Sequence, residues 1–244
     1  MRIRVFAVRT LKEMLRDPLT LLFGAGFPVV LLLLLTAIQK NVPVELFAPE
    51  NLTPGIAVFG FSFLTLFSAT IIAKDRESAF LQRLYTTPMR AWDFILGYLL
   101  PLLPLALVQS GICYLTAALL GLPLSVNTIY APLILGFPAA FFFIALGLLC
   151  GSVLGVKPVG GLCGALLTNL TAFLSGAWFD LSLVGGVFEK IAKAFPFFHA
   201  VQAGRMVLAG DFSGSLTHFL IVFVYALAVF AAAVLLFFRQ MRKK

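Results

Sequence analysis

Residues 219–238 read Phe-Leu-Ile-Val-Phe-Val-Tyr-Ala-Leu-Ala-Val-Phe-Ala-Ala-Ala-Val-Leu-Leu-Phe-Phe, and Arg239, Arg242, Lys243 and Lys244 follow them. No side chain in the run carries a charge. At a rise of 1.5 Å per residue, a helix of this length reaches about 30 Å, the thickness of a bilayer's hydrocarbon core. The run therefore predicts a membrane span that ends in a basic tail.

Five further runs meet the same criterion: 19–38, 53–73, 94–119, 129–154 and 159–179. The shortest break, between the fourth and fifth runs, rests on Gly155-Val156-Lys157-Pro158, a charge beside a helix breaker. Composition agrees: 61% of the 244 residues are hydrophobic and 11% are charged, against about 25% charged in a soluble domain. So little charge cannot coat a surface with water-binding groups, and lipid is the solvent for most of this chain. The first 17 residues lack the apolar middle and small-residue cleavage site of a signal peptide, so the first run should remain as an anchor.

The net charge of +8 would suggest nucleic acid as a partner of a soluble protein. Here its distribution gives another meaning. Arg2, Arg4, Arg9, Lys12, Arg16, Lys74, Arg76, Arg83, Arg90, Lys157 and the four tail cations lie on one side of the predicted spans. Only Lys40, Lys190, Lys193 and Arg205 lie on the other, and acidic residues divide evenly. Lys and Arg set topology. The expectation is a multi-pass protein of the cytoplasmic (inner) membrane, both termini cytoplasmic, with no nucleic-acid partner.

Three segments are not spans. Residues 1–17 predict an amphipathic interfacial helix, with Arg2, Arg9, Lys12, Glu13 and Arg16 on one face and Ile3, Phe6, Leu11, Met14 and Leu15 opposite; Asp17-Pro18 ends it. In 75–88, Asp75 is expected to cap a short cytoplasmic helix whose apolar stripe is Phe80, Leu81, Leu84 and Tyr85, ended by Pro88. Residues 180–216 carry Leu183, Val184, Val187, Phe188 and Ile191 at helical spacing, followed by Phe195-Pro196-Phe197-Phe198. That stretch is too apolar for a free loop and too interrupted for a span, and it predicts a re-entrant outer hairpin.

No phosphate-loop, zinc-protease or nucleophile-elbow motif occurs, so the chain is expected to be no enzyme and to hold no metal. Cys113, Cys150 and Cys163 have no ligand spacing and read as small buried residues. The six runs also contain no Asp, Glu, Lys, Arg or His. Ion-coupled carriers usually need such a group inside the membrane. A secondary carrier or channel working without an ATPase therefore stands as the alternative rather than the first reading. Ser62, Thr65 and Ser68, and Thr168, Asn169, Thr171 and Ser175, give two spans a polar side. They read either as close helix packing or as a weakly polar translocation path with Phe59, Phe61, Phe63 and Phe67 beside it.

Two stretches carry a family pattern. Asp75-Arg76-Glu77-Ser78-Ala79-Phe80-Leu81-Gln82-Arg83-Leu84, with Thr87-Pro88 and Gly97, is similar to the Glu-Arg-Glu…Leu…Pro…Gly segment of type 2 ATP-binding-cassette (ABC) export permeases. Pro196, Arg205, Gly210 and Asp211 are similar to that family's Pro…Arg…Gly-Asp ending; Asp75 stands where the family has Glu. The resemblance covers nearly the whole chain and implies an all-α integral membrane fold, a single transmembrane domain over 1–244. It implies a half-transporter paired with a second copy of itself and a separate nucleotide-binding ATPase subunit, which would carry the ATP and Mg; this chain would carry no cofactor. Asp75, Arg76, Glu77, Phe80, Leu81, Arg83 and Leu84 would couple to that ATPase, and Phe61, Ser62, Thr65, Thr168 and Asn169 would line the path. The expected cargo is a drug, lipid or lipid-linked glycan.

Overall fold

The computed structural model describes residues 2–41, 47–78, 80 and 91–242, and every regular element among them is helical. In chain order these are α1 (Arg2–Arg16), α2 (Pro18–Gln39), α3 (Pro49–Glu77), α4 (Ala91–Leu119), α5 (Val126–Val153), α6 (156–174), α7 (Gly186–Ala194), α8 (Pro196–Leu208) and α9 (Phe212–Arg242). Among the described residues, five helices are long and apolar enough to cross a membrane: α2, α3, α4, α5 and α9. The run expected as the fifth span is α6, which is helical but built of three pieces, Val156–Val159, a π segment Gly160–Leu167, and Thr168–Leu174.

The helices outrun the apolar stretches that predicted them. α3 starts at Pro49 and continues through Lys74, Asp75, Arg76 and Glu77. Asp75 is therefore not the N-cap of a separate helix; its carboxylate is taken up by side chains described below. α9 likewise begins at Phe212, so His218 lies within it. The helix of the fourth run ends at Val153, and only Leu154–Gly155 separate it from α6. Pro158 does not break a helix. It sits in the first turn of α6, where no backbone donor is needed, and so helps to start one. At the other end α6 stops at Leu174, five residues early, because Gly176 turns to φ +67°. Asp17 behaves as read: its carboxylate accepts from the Leu19 N–H (3.2 Å) and the Thr20 hydroxyl (2.8 Å), closing α1 and opening α2.

α3 is the axis of the bundle and is buried on nearly all sides, against α5, α4, α8, α6 and α2. α2 and α9 lie at the periphery and expose Leu33, Leu34, Leu220, Val224 and Leu235. Helices apolar all round can do this only where the surroundings are lipid. Phe23 and Phe27 of α2 interleave with Phe59 and Phe63 of α3, with ring centroids 5.6–6.3 Å apart, and Trp178 closes on Phe59 at 5.3 Å. This aromatic ladder seats the peripheral α2 on the axis.

The tightest seam is between α3 and α5. Gly147 and Gly151, one turn apart, let the α5 backbone lie on Ser68, Ala69 and Ile72. A Cβ on Gly151 would stand 2.7 Å from the Ala69 carbonyl oxygen, and one on Gly147 would strike the Ser68 hydroxyl. Apolar side chains drive no association between helices in lipid, so close backbone approach and dispersion hold such a seam. The third non-spanning segment is a short 3₁₀ turn (Leu181–Leu183), α7 and α8, a broken helical pair in which Phe188 packs inward while Leu183, Val184, Val187 and Ile191 stay exposed.

Gly151→Leu should cost about 1–3 kcal/mol through overpacking and lower the thermal midpoint of the detergent-solubilised chain. Gly160→Ala, whose Cβ meets nothing within 4 Å, should leave the midpoint unchanged or raise it by the equivalent of up to about 1 kcal/mol. Size-exclusion fluorescence after a heating series compares the two.

Candidate functional site

The last turn of α3 puts three consecutive charged side chains in three directions, and each grips a different part of the bundle. Asp75 points inward and is 3% exposed. Both terminal nitrogens of Arg9, from α1, donate to its two oxygens, one at 2.7 Å. The Tyr98 hydroxyl, from α4, donates to the same carboxylate at 2.8 Å. A two-point guanidinium–carboxylate contact fixes angle as well as distance. Burial works against the Arg9 charge, but the hydrogen bond and field of Asp75 outweigh it and hold the guanidinium pKa above its ordinary value. Glu13 adds a second partner at 2.7 Å, one turn along α1.

Arg76 reaches the opposite way, to α5. Its guanidinium donates to the carbonyls of Ser152, Val153 (3.3 Å) and Leu154 (3.0 Å). These are carbonyls that the end of a helix leaves without intrahelical partners, and a cation there also suits the helix dipole. Glu77 completes the set: its carboxylate accepts from the Val156 N–H at 2.9 Å, the start of α6. Gly155 is bare at this point, where a Cβ would stand 2.6 Å from the Glu77 Oε1. One residue each thus ties the end of α3 to α1 with α4, to α5, and to α6.

α1 is amphipathic as expected, but its inward stripe is Phe6, Thr10 and Met14, which pack on protein rather than on lipid. Val5, Val8 and Leu15 are exposed, and Arg9 turns inward because a carboxylate waits for it. The Phe6 ring lies directly on Gly97 of α4, where any Cβ would strike it, and meets Phe94 and Tyr98 edge-on at 5.7 and 4.9 Å. Phe80 follows: its ring is 6.4 Å from Phe6 and 4.4 Å from the Arg9 guanidinium carbon, a cation–π distance. Leu81, Arg83 and Leu84, with Pro88, lie outside the described residues.

The expected path residues are distributed differently. Phe61, Ser62 and Thr65 on α3 are fully buried, and Thr168 on α6 nearly so. Ser62 donates to the Phe59 carbonyl (2.6 Å) and lies 3.4 Å from the Thr168 hydroxyl; Thr65 donates to the Phe143 carbonyl of α5 (2.7 Å). These hydroxyls are held in helix packing and face no opening in this arrangement. Asn169 differs: it is exposed, bonded to the Ala165 carbonyl one turn back, and shares an outward face of α6 with Leu162, Leu166, Leu170 and Phe173.

At the opposite end of the bundle, the second stretch singled out in the sequence is turn chemistry around one cation. Pro196 occupies the first turn of α8. Arg205 donates to the carbonyls of Asn51 (3.0 Å) and Gly176 (2.9 Å), joining α8 to the start of α3 and the end of α6. Burial lowers its pKa, and the nearby Asp180 partly offsets this. Gly210 takes φ +83° and donates to Val207, and Asp211 accepts from the Gly214 N–H at 2.8 Å to open α9.

Arg9 and Tyr98 were not singled out as site residues. Arg9 sits on the charged face of a helix, and periodicity reports that face without naming its partner. A lone tyrosine in an apolar run carries no signal.

The sequence model of the ABC-2 type transporter family matches residues 1–209. No curated protein matches the chain.

Asp75→Asn should destabilise by about 1.5–3 kcal/mol, since it turns the charge-assisted contact of a buried carboxylate with Arg9 into a neutral one while Arg9 keeps Glu13. Tyr98→Phe should cost about 0.5–1.5 kcal/mol, since it removes the hydroxyl that donates to Asp75. The double variant Arg9→Met/Asp75→Leu should cost less than Asp75→Asn alone. Denaturation of these variants and the unaltered chain in one detergent ranks them.

Proposed function

The chain belongs to the ABC-2 type transporter family, and on that premise we propose that it is the permease of an ATP-driven exporter for a hydrophobic or amphipathic molecule such as a drug, lipid or lipid-linked glycan. A separate ATPase subunit binds ATP and Mg and supplies the work, and two copies of this chain form the permease. The chain crosses the cytoplasmic membrane six times, with α6 as the fifth span and α7–α8 as the re-entrant outer hairpin. The basic face and both termini are cytoplasmic.

One observation carries the coupling role. Asp75, Arg76 and Glu77 stand where the chain leaves α3 for segment 78–90, and together they hold α1, α4, α5 and α6. A force applied to that segment by a docked ATPase is delivered to four helices at once. In this reading the three residues do not touch the ATPase. They pass on what Phe80, Leu81, Arg83 and Leu84 receive. Nucleotide drives the cycle only by binding the two arrangements of the permease with different affinity. The outward face of α6, with Asn169 among Leu162, Leu166 and Leu170, lines the path together with the second copy; Phe61, Ser62, Thr65 and Thr168 reach it only when α3 and α6 separate.

Glu77→Ala and Leu84→Asp should each reduce transport and permease-stimulated ATP hydrolysis roughly fivefold or more, with normal insertion. Full stimulation in both variants would remove the coupling role. Lys244 extended by a protease site should be cleaved only from the cytoplasmic face of membrane vesicles; cleavage from the outer face would overturn the orientation.

A further inference from the structure

The chain has two histidines, and the fold brings them together. His199 lies in the first turns of α8 and His218 in the second turn of α9. Their Nδ1 atoms are 2.7 Å apart and their ring centroids 4.9 Å. Phe198 covers the pair, with its ring 5.5 Å from His199 and 6.3 Å from His218. Neither residue belongs to the coupling cluster or to the expected path.

Two imidazole nitrogens at this distance hold one proton between them. One Nδ1 donates and the other must accept with its lone pair, so at least one ring is neutral. The contact survives a single protonation, which gives an imidazolium donating to an imidazole. It does not survive two, because neither Nδ1 then has a lone pair and two cations face each other at hydrogen-bond distance.

From this geometry we infer that His199 and His218 form a proton-operated latch between α8 and α9, closed near neutral pH and released when the compartment at that end acidifies. The charged and titratable groups of the surrounding elements leave the pair free to act. On α7, Glu189 and Lys193 are paired with each other at 2.6 Å, with Lys190 beside them. On α8, Arg205 is tied to the two carbonyls described above. On α9, Asp211 caps its own helix, and Tyr225 donates to the Ala194 carbonyl at 2.9 Å. α5 carries no charged residue and presents Tyr130 at this end, and α3 begins with Glu50 there. The groups acting on His199 are His218 and the backbone of Lys193. Burial and the second ring lower its pKa, and the Lys193 backbone opposes them.

The sign follows from the lowered pKa. The separated state binds protons more readily than the latched one, so the contact is fully present above the ordinary histidine value of about 6.5 and weakens as pH falls below it. α8 also carries Arg205, so release frees the helix that is clamped to the start of α3 and the end of α6. The inference does not depend on the cargo or on the ATPase.

The test uses the full chain in lipid nanodiscs with ¹⁵N-labelled histidine, which reports these two rings alone. At pH 8 a nitrogen–nitrogen coupling across the shared proton is expected, and at pH 5 both rings should be imidazolium with the coupling gone. Deuterium exchange in residues 196–208, corrected for the intrinsic effect of pH, should quicken at least tenfold between pH 7.5 and pH 5. In His218→Gln, which keeps a hydrogen-bonding side chain without the charge, it should not quicken. Two independently titrating rings with no coupling at pH 8 would overturn the latch, and so would acid-quickened exchange in His218→Gln equal to that of the unaltered chain.

Discussion

The bidentate contact between Arg9 and Asp75 is the interaction on which the arrangement of the basic end depends. A carboxylate 3% exposed at the end of a membrane helix is tolerable only with a cation and further donors around it. Arg9 supplies the cation, and Tyr98 supplies a donor from a third helix. To deliver Arg9, α1 has to lie flat on α4, and that requires bare backbone at Gly97 beneath the Phe6 ring. Charge, ring and missing side chain are one device: remove any of them and the other two lose their purpose.

From that point the bundle is held at both ends. Arg76 and Glu77 fasten the end of α3 to α5 and α6, and Arg205 fastens its start to α6 and α8. Between the clamps the α3–α5 seam runs on glycine and small side chains. Both clamps work through backbone carbonyls or N–H groups at helix ends, where donors and acceptors lack partners. They therefore demand little of the neighbouring side chains beyond the room at Gly155 and the turn at Gly176.

Much of this was legible in the sequence, and what was not had physical causes. Hydrocarbon thickness selects long uncharged runs, so the five long apolar helices stood out, while their ends did not. A helix continues past its apolar stretch wherever polar side chains find partners, as α3 does through Glu77, and partners are not written in local sequence. Pro158 misled for a related reason: a proline ends a helix or begins one depending on which side it is joined. The hydroxyl stripe on α3 was readable as a stripe, but whether it faced a path or a neighbouring helix depended on α5 and α6. Arg205 and Gly210 were picked out by pattern alone; their turn and clamp geometry gives that pattern its reason.

The length of α3 has a consequence for the membrane around it. Its 29 residues extend roughly 43 Å, about 13 Å beyond a hydrocarbon core of about 30 Å. With α3 read as a span, the charged Lys74–Glu77 turn belongs outside that core, among headgroups and interfacial water. How deeply it is immersed is set by bilayer thickness as much as by the protein. Longer acyl chains draw the turn inward and shorter ones leave it standing proud, so the lipid composition of the host membrane becomes a variable of this machine's action.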